Sequence, residues 1–392
     1  MTARLITGIG ELTTNEPELG TLRSAAMVLD GDRVAWVGPA HVAGPADERV
    51  DVGGRAVLPG WVDSHTHLVF AGDRTAEFEA RMAGEPYSAG GIAVTVDATR
   101  RAPDDVLAGN LARLAHEARM QGTTYLETKT GYGLTVPDEL RSARVAARVA
   151  DEVTFLGAHI VPGECAAEEY LDTVTGPMLD AVAEHVSWVD AFCDTGAFDE
   201  EQSERVLRAA ADRGLGVRVH GNQLGPGPGV RLAVRCGAAS VDHCSYLDEA
   251  DVAALADSWS GTATGTVATV LPACDLSTRG PLAPARALLD AGAVVALATN
   301  ANPGSSYTTS MAYCVATAVL QMGLTVPEAV WAATRGGARA LRADTGEGAV
   351  GVLRQGARAD VQVLDAPSVT HLAYRPGVPL TWAVWRDGAR LR

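Results

Sequence analysis

Lysine is almost missing from this 392-residue chain: Lys129 is the only one. The 32 basic residues are otherwise all arginine, and 48 acidic residues outweigh them to a formal charge of −16. A surface of that sign repels phosphate backbones and anionic headgroups, so neither a nucleic acid nor a membrane is an expected partner. No apolar run approaches the roughly eighteen residues of a membrane-spanning helix. The opening MTARLITGIGELTT lacks the basic start and long apolar stretch of a signal peptide. The six cysteines (Cys165, Cys193, Cys236, Cys244, Cys274 and Cys314) include no Cys-x-x-Cys pair. Free thiols in a reducing cytoplasm are the expectation.

Apolar residues, at 47%, are ample for a large core. The length exceeds one ordinary core and suits a large barrel with a small appended domain. Both ends of the chain read as strands. AAMVLDGDRVAWVG is a hairpin pattern around Asp30-Gly31, a type I′ turn signal, and AVWRDGARLR turns at Asp387-Gly388. Residues 1–54 with 346–392 are therefore expected to build one small β-sandwich domain from both termini, around a middle of residues 55–345.

That middle alternates strands and helices. Eight apolar runs can be counted: WVDSHTH, TTYLETKT, VTFLGAHIV, WVDAFCD, GVRVHGNQ, SVDHCS, ATVLPAC and VVALATN. Helical patterns separate most of them. DEEQSERVLRAAADRG carries a capping box (Asp199, Gln202), and TVPEAVWAATRGGARAL another (Thr325, Glu328). The alternation predicts an α/β fold, a TIM-like (β/α)8 barrel.

In such a barrel the chemistry sits at the carboxyl ends of the strands. The runs end in His65 and His67, Lys129, His159, Cys193 and Asp194, His220, His243 and Asn300. Five of nine histidines thus converge on one rim. His41, His116, His185 and His371 fall outside it and read as surface or structural residues. His65 and His67 are two apart on a strand, so both imidazoles face one way. They offer two ligands to one ion, and His220 is the obvious third.

LPGWVDSHTH, with histidines ending runs five and six, resembles the amidohydrolase superfamily. HTHLVFAGDR, ETKTGYGL, FLGAHIVP, VDAFCDTGAF and NPGSS together resemble, more narrowly, the imidazolonepropionase family. The resemblance covers nearly the whole chain and includes the returning segment GVLRQGARADVQVLD. It implies one Zn2+ or Fe3+ per chain, held by His65, His67, His220 and an acid on strand eight. It implies hydrolysis of the cyclic amide 4-imidazolone-5-propanoate to N-formimidoyl-L-glutamate in histidine degradation, in a cytoplasmic homodimer. The chemistry stands without the name: opening a lactam near neutral pH calls for a hydroxide-like nucleophile, and a metal lowers the pKa of water. His243 is placed to orient or deprotonate that water or to stabilise the oxyanion; the alternative is a buried structural histidine supported by Asp242. A carboxylated-lysine bridge between two metals is not expected, because run four has no lysine. Lys129 reads as a structural or electrostatic residue beside the substrate site.

The same resemblance assigns substrate contacts. Arg74 becomes the clamp on the substrate carboxylate, a task its planar fork suits. Tyr132 contacts the substrate, His159 donates to a substrate oxygen or to the tail carboxylate, Gln223 contacts the ring, and Asn302, Gly304 and Ser305 surround the reactive end. One position departs from the pattern. The resembling enzymes carry an aspartate two residues before the Asn-Pro-Gly asparagine, where this chain has Asn300. An amide oxygen can still ligate a metal, but it brings no charge and cannot take a proton. Loss of a positioned base costs about 10²–10⁴-fold. Two further readings therefore stand beside the first: another cyclic amidohydrolase or deaminase, or a catalytically impaired relative that only binds its ligand.

Overall fold

The computed structural model describes residues 3–85, 91–163 and 165–392. Two sheets organise the chain. The first takes β1 (Ala3–Thr13), β2 (Thr21–Asp30), β3 (Arg33–Pro39), β4 (Glu48–Asp51) and β5 (Ala56–Pro59) from the N-terminal region. The second, entirely parallel, takes β6 (Trp61–Asp63), β7 (Thr123–Lys129), β8 (Glu152–Ala158) and β9 (Trp188–Cys193), followed by β10 (Gly216–Gly221), β11 (Ser240–His243), β12 (Val267–Val270) and β13 (Val295–Leu297). The chain then returns to the first sheet with β14 (Val361–Leu364), β15 (Thr381–Arg386) and β16 (Ala389–Arg390).

The chain forms two compact units, one of residues Met1–Asp63, His116–Tyr125 and Ser310–Arg392, the other of Ser64–Ala115 and Leu126–Thr309. In the first, the sheet order is β16-β15-β14-β5-β1-β2-β3, with β4 added beside β1. Its buried residues Ile6, Leu12, Met27, Val57, Val363 and Trp385 make a core of their own. The β2–β3 hairpin pairs Asp30 with Arg33, so its two loop residues are Gly31 and Asp32, one position later than the Asp-Gly signal suggests. The β15–β16 turn has Asp387 and Gly388 at its centre, both at positive φ (51° and 71°), the I′ form read from the sequence.

The parallel sheet runs in sequence order from β6 to β13, as a (β/α)8 barrel requires. Its strands are buried along their length, which is why they read as apolar runs rather than alternating ones. Helices follow as patterned: Glu200–Ala211 opens on the Asp199–Gln202 capping box and Val326–Trp331 on the Thr325–Glu328 box. The second of these is shorter than its pattern, because the chain widens into a π turn over Ala332–Gly336. The end of the first barrel strand meets the end of the last. Thr66 bridges Ala301 in parallel, the Asn300 N–H donates to the His65 carbonyl at 3.0 Å, and the His67 N–H donates to the Ala301 carbonyl at 2.9 Å. No helix among the described residues is long and apolar enough to cross a membrane.

Candidate metal centre and active site

His65 and His67 lie just past the end of β6 rather than within it. Their side chains still converge. His65 Nε2 stands 3.3 Å from His67 Nε2, and His67 Nε2 stands 3.4 Å from His220 Nε2. All three rings are buried. Four-coordinate zinc, with nitrogens at about 2.0–2.1 Å, sets its ligands roughly 3.3–3.4 Å apart. His243 is a neighbour of this group: its ligating nitrogen lies within 4.8 Å of those of His65 and His220. His65 and His220 thus belong to two trios, one completed by His67 at 3.3 and 3.4 Å and one by His243.

The distal nitrogens fix the tautomers. His65 Nδ1 bonds Asp242 Oδ2 at 2.7 Å, and His220 Nδ1 bonds Asp190 Oδ1 at 3.0 Å. Each Nδ1 then carries the proton, and each Nε2 presents a lone pair to the shared point. Burial, first, and then the surrounding positive groups hold the three imidazoles well below their usual pKa. His67 has no partner at its Nδ1, and its Nε2 faces the lone pairs of the other two, where a cation would be shared by all three. Asn300 adds a fourth donor. Its amide nitrogen points to Ser305 Oγ (3.5 Å), while its buried Oδ1 has no hydrogen-bond partner. The residues fit a single metal ion.

Beneath the histidines lies a fully buried charge network. Lys129 Nζ is 3.0 Å from both Glu127 and Asp190 and 3.9 Å from Asp242, and Arg218 Nη2 is 3.0 Å from Asp242. Burial raises the pKa of Asp190. Burial pulls the same way on Asp242, but Arg218 and Lys129 outweigh it and hold Asp242 low. Lys129 therefore stands under the ligands, not beside the substrate as its motif suggested. Asp242 supports His65, not its chain neighbour His243. The sequence signal for this layer was present: Glu127, Lys129, Asp190, Arg218 and Asp242 are charges set inside strands that should otherwise be apolar.

His243 takes a strained backbone, φ 84°, followed by Cys244 at 58°. Left-handed values are uncommon for such residues and cluster where surroundings over-determine them. Its ring centroid lies 5.3 Å from that of His220 and 5.7 Å from that of His65. Burial drops its pKa to about 4, so it is neutral and able to accept a proton near pH 7.

The expected substrate residues line one cavity with the histidines: Arg74, Tyr132, His159, Gln223, Asn302 and Ser305 all contribute to its wall, as does Asn300. The Tyr132 ring lies 6.1 Å from that of His67, and the His159 ring stacks on His67 at 5.7 Å. His159 donates from Nδ1 to the Gly131 carbonyl at 2.9 Å, which leaves Nε2 as its second ring nitrogen; burial holds it at a pKa of about 4. Arg74 is oriented by Glu77, which accepts from Nε at 2.7 Å and from Nη2 at 2.6 Å. The guanidinium passes so close to Gly304 that a β-carbon there would collide with it. Asn302 commits its whole amide to the turn. It donates to the Asn300 carbonyl and Ser305 Oγ, and accepts from the Gly304 and Ser305 N–H groups. Gln223 is tethered by its backbone N–H to Asp194 Oδ2 at 2.7 Å. Sequence reading missed the apolar wall of Ile92, Ile160 and Phe192, for which no polar signal existed.

Comparison with known proteins adds the following. The profile of the amidohydrolase family matches residues 56–382. An imidazolonepropionase of Saccharopolyspora erythraea is 70% identical over 391 residues, covering 100% of this chain and 99% of that protein. An imidazolonepropionase of an Arthrobacter species is 65% identical, covering 99% of each. Among solved structures, a triazine hydrolase variant superposes with a TM-score of 0.77 at 19% identity, covering 100% of this chain and 95% of its own. A zinc-bound adenosine deaminase from Xanthomonas campestris superposes with a TM-score of 0.74 at 20% identity, covering 99% and 92%. The last two are likenesses of fold.

Proposed function

The chain belongs to the amidohydrolase family, and we propose that it hydrolyses 4-imidazolone-5-propanoate to N-formimidoyl-L-glutamate, a step of histidine degradation. The observation that carries this reading is a pocket lined by His67, His220 and a glutamate-oriented Arg74, with His65 joined to His67 at metal-ligand spacing. Full-length identity of 70% and 65% to proteins named for this activity agrees with it.

His65, His67, His220 and the Asn300 amide oxygen would hold the ion. When bound, the ion lowers the pKa of water and polarises the lactam oxygen. Of Zn2+ and Fe3+, the first suits this donor set better, since three imidazoles and an amide bring no charge to offset a trivalent cation. Arg74 takes the tail carboxylate through its planar fork. His159, fixed by Gly131, and Gln223, able both to donate and to accept, hold the ring edge. His243 orients the attacking water and accepts its proton. Water oxygen bonds to the ring carbonyl carbon, the ring C–N bond breaks, and the proton passes to the departing nitrogen. The carbonyl becomes the new carboxylate and the nitrogen stays in the formimidoyl group. Asn300 cannot share the proton work, so it falls to His243. Homodimeric assembly in the cytoplasm belongs to the same reading.

Two measurements test it. Metal analysis of the purified protein is expected to find close to one zinc per chain, lost in His65→Ala and in His220→Ala. Incubation with imidazolone propionate is expected to yield N-formimidoyl-glutamate. Absence of turnover in fully metal-loaded protein would remove the function. Unchanged metal in both variants would remove the site.

A further inference from the structure

Tyr132 and His159 reach the cavity from the ends of different barrel strands, yet a single side chain outside the cavity governs both. Glu139 lies on the helix Val136–Ala146 and is fully buried. Its Oε2 accepts from the Gly131 N–H at 3.0 Å, and its Oε1 accepts from the Gly133 and Leu134 N–H groups at 2.7 Å each. These three amides frame Tyr132, and all are buried where water cannot replace the acceptor. The turn is one the chain would not choose unaided: Gly131 sits at φ 108° and Leu134 at 53°. A non-glycine residue is disfavoured in that region. The Glu139 carboxyl group supplies the compensation by accepting three backbone hydrogen bonds.

The turn in turn sets His159. Its Nδ1 bonds the Gly131 carbonyl at 2.9 Å, and the ring packs so closely that a β-carbon on Gly131 would lie 3.0 Å from Nδ1 and 2.7 Å from the Leu156 carbonyl oxygen. Glu139 itself does not wander, because Thr135 caps the start of its helix by accepting from the Asp138 N–H.

We propose that Glu139 is a positioning residue for substrate binding, fixing through the 130–134 turn both the ring of Tyr132 and the tautomer of His159. This rests on the reading that those two side chains hold the imidazolone. Glu139→Gln is the direct test. An amide has one accepting oxygen and must turn its NH2 toward either the Gly131 N–H or the Gly133 and Leu134 pair, so part of the turn is released. The expected result is a rise in KM for imidazolone propionate of about tenfold, the scale of a lost hydrogen bond. Metal content and kcat stay within about twofold, and hydrogen exchange quickens at residues 131, 133 and 134. On a Tyr132→Ala background the KM effect of Glu139→Gln is expected to shrink, since one of its two targets is gone and only His159 still reports the turn. An unchanged KM with faster exchange would overturn the proposal, and so would an equal KM effect in the Tyr132→Ala background. Should Glu139→Gln fail to fold, Glu139→Asp, which keeps the carboxyl group and shortens the reach, is judged by the same KM and coupling criteria. Absence of turnover in the metal-loaded parent protein overturns the functional reading and the proposal together. Turnover in the parent with KM unmoved by Glu139→Gln overturns the proposal alone.

Discussion

Lys129 Nζ lies 3.0 Å from Asp190 Oδ2, and neither side chain meets solvent. The same ammonium is 3.0 Å from Glu127, which has Arg218 3.8 Å away as a weaker partner. Removing one member of such a buried pair strands the other charge, at about 3–5 kcal/mol. Lys129→Met is expected to lower stability by that order in urea unfolding of the metal-free protein. A loss below about 1 kcal/mol would mean that the carboxylates find other compensation.

Arg74 is expected to act on binding more than on turnover. Arg74→Ala loses a charge-assisted contact to the substrate tail, on the order of 1.5–3 kcal/mol, or about 10- to 150-fold in KM. Gly304→Ala drives a methyl group into the same guanidinium and is expected to move KM in the same direction. Steady-state kinetics on imidazolone propionate reads both. A carboxylate-bearing analogue that binds Arg74→Ala as tightly as the parent would place the clamp elsewhere.

Asn300 Oδ1 is buried and unpartnered, and the residue lines the same pocket as His67, His220 and His243. Asn300→Asp adds a charged donor and a base at once. With equal metal loading, kcat is expected to rise by at least about tenfold, the low end of general-base effects, with little change in KM. A level or lower kcat would show that proton transfer through His243 does not limit turnover and that the amide belongs to this enzyme's own mechanism.

Asp275 offers a pH test away from the metal. Burial raises its pKa from 3.8 to about 7, against bonds from Ser245 Oγ at 2.8 Å and the Ala283 N–H at 3.1 Å. The folded chain therefore holds this proton more tightly than the unfolded chain does. That stabilisation is complete below about pH 4 and fades as pH climbs toward 7. Asp275→Asn, neutral throughout, is expected to gain on the parent protein between pH 5 and pH 8 in urea midpoint. A pH-independent difference would mean that Asp275 is already ionised across that range.

Much of the barrel was legible because parallel strands buried on both faces leave uninterrupted apolar runs, and because polar residues mark where each run reaches the rim. Residue identity located His65, His67 and His220, and the geometry brings them together. Partnership was not legible. Asp242 precedes His243 in the chain but bonds His65, 177 positions away. Such pairings depend on barrel register, which side-chain pattern alone does not set. Lys129 misled for a related reason: a strand-end polar residue can face the rim or dive beneath it, and only the carboxylates around it decide. Glu139 carried no mark at all, being one acidic residue on a helix that shows several.

The seam where Asn300 donates to the His65 carbonyl gives the centre a history as well as a shape. Its first and last donors are 235 positions apart in the chain. At translation speeds of about 5–20 residues per second, roughly 12–47 s separate the emergence of one from the other. Throughout that interval His65 and His67 are exposed to any thiol- or imidazole-seeking ion in the cell without the partners that select among them. A loaded centre is thus a record of completed synthesis, and the kinetics of metal uptake should report when the barrel's two ends have joined.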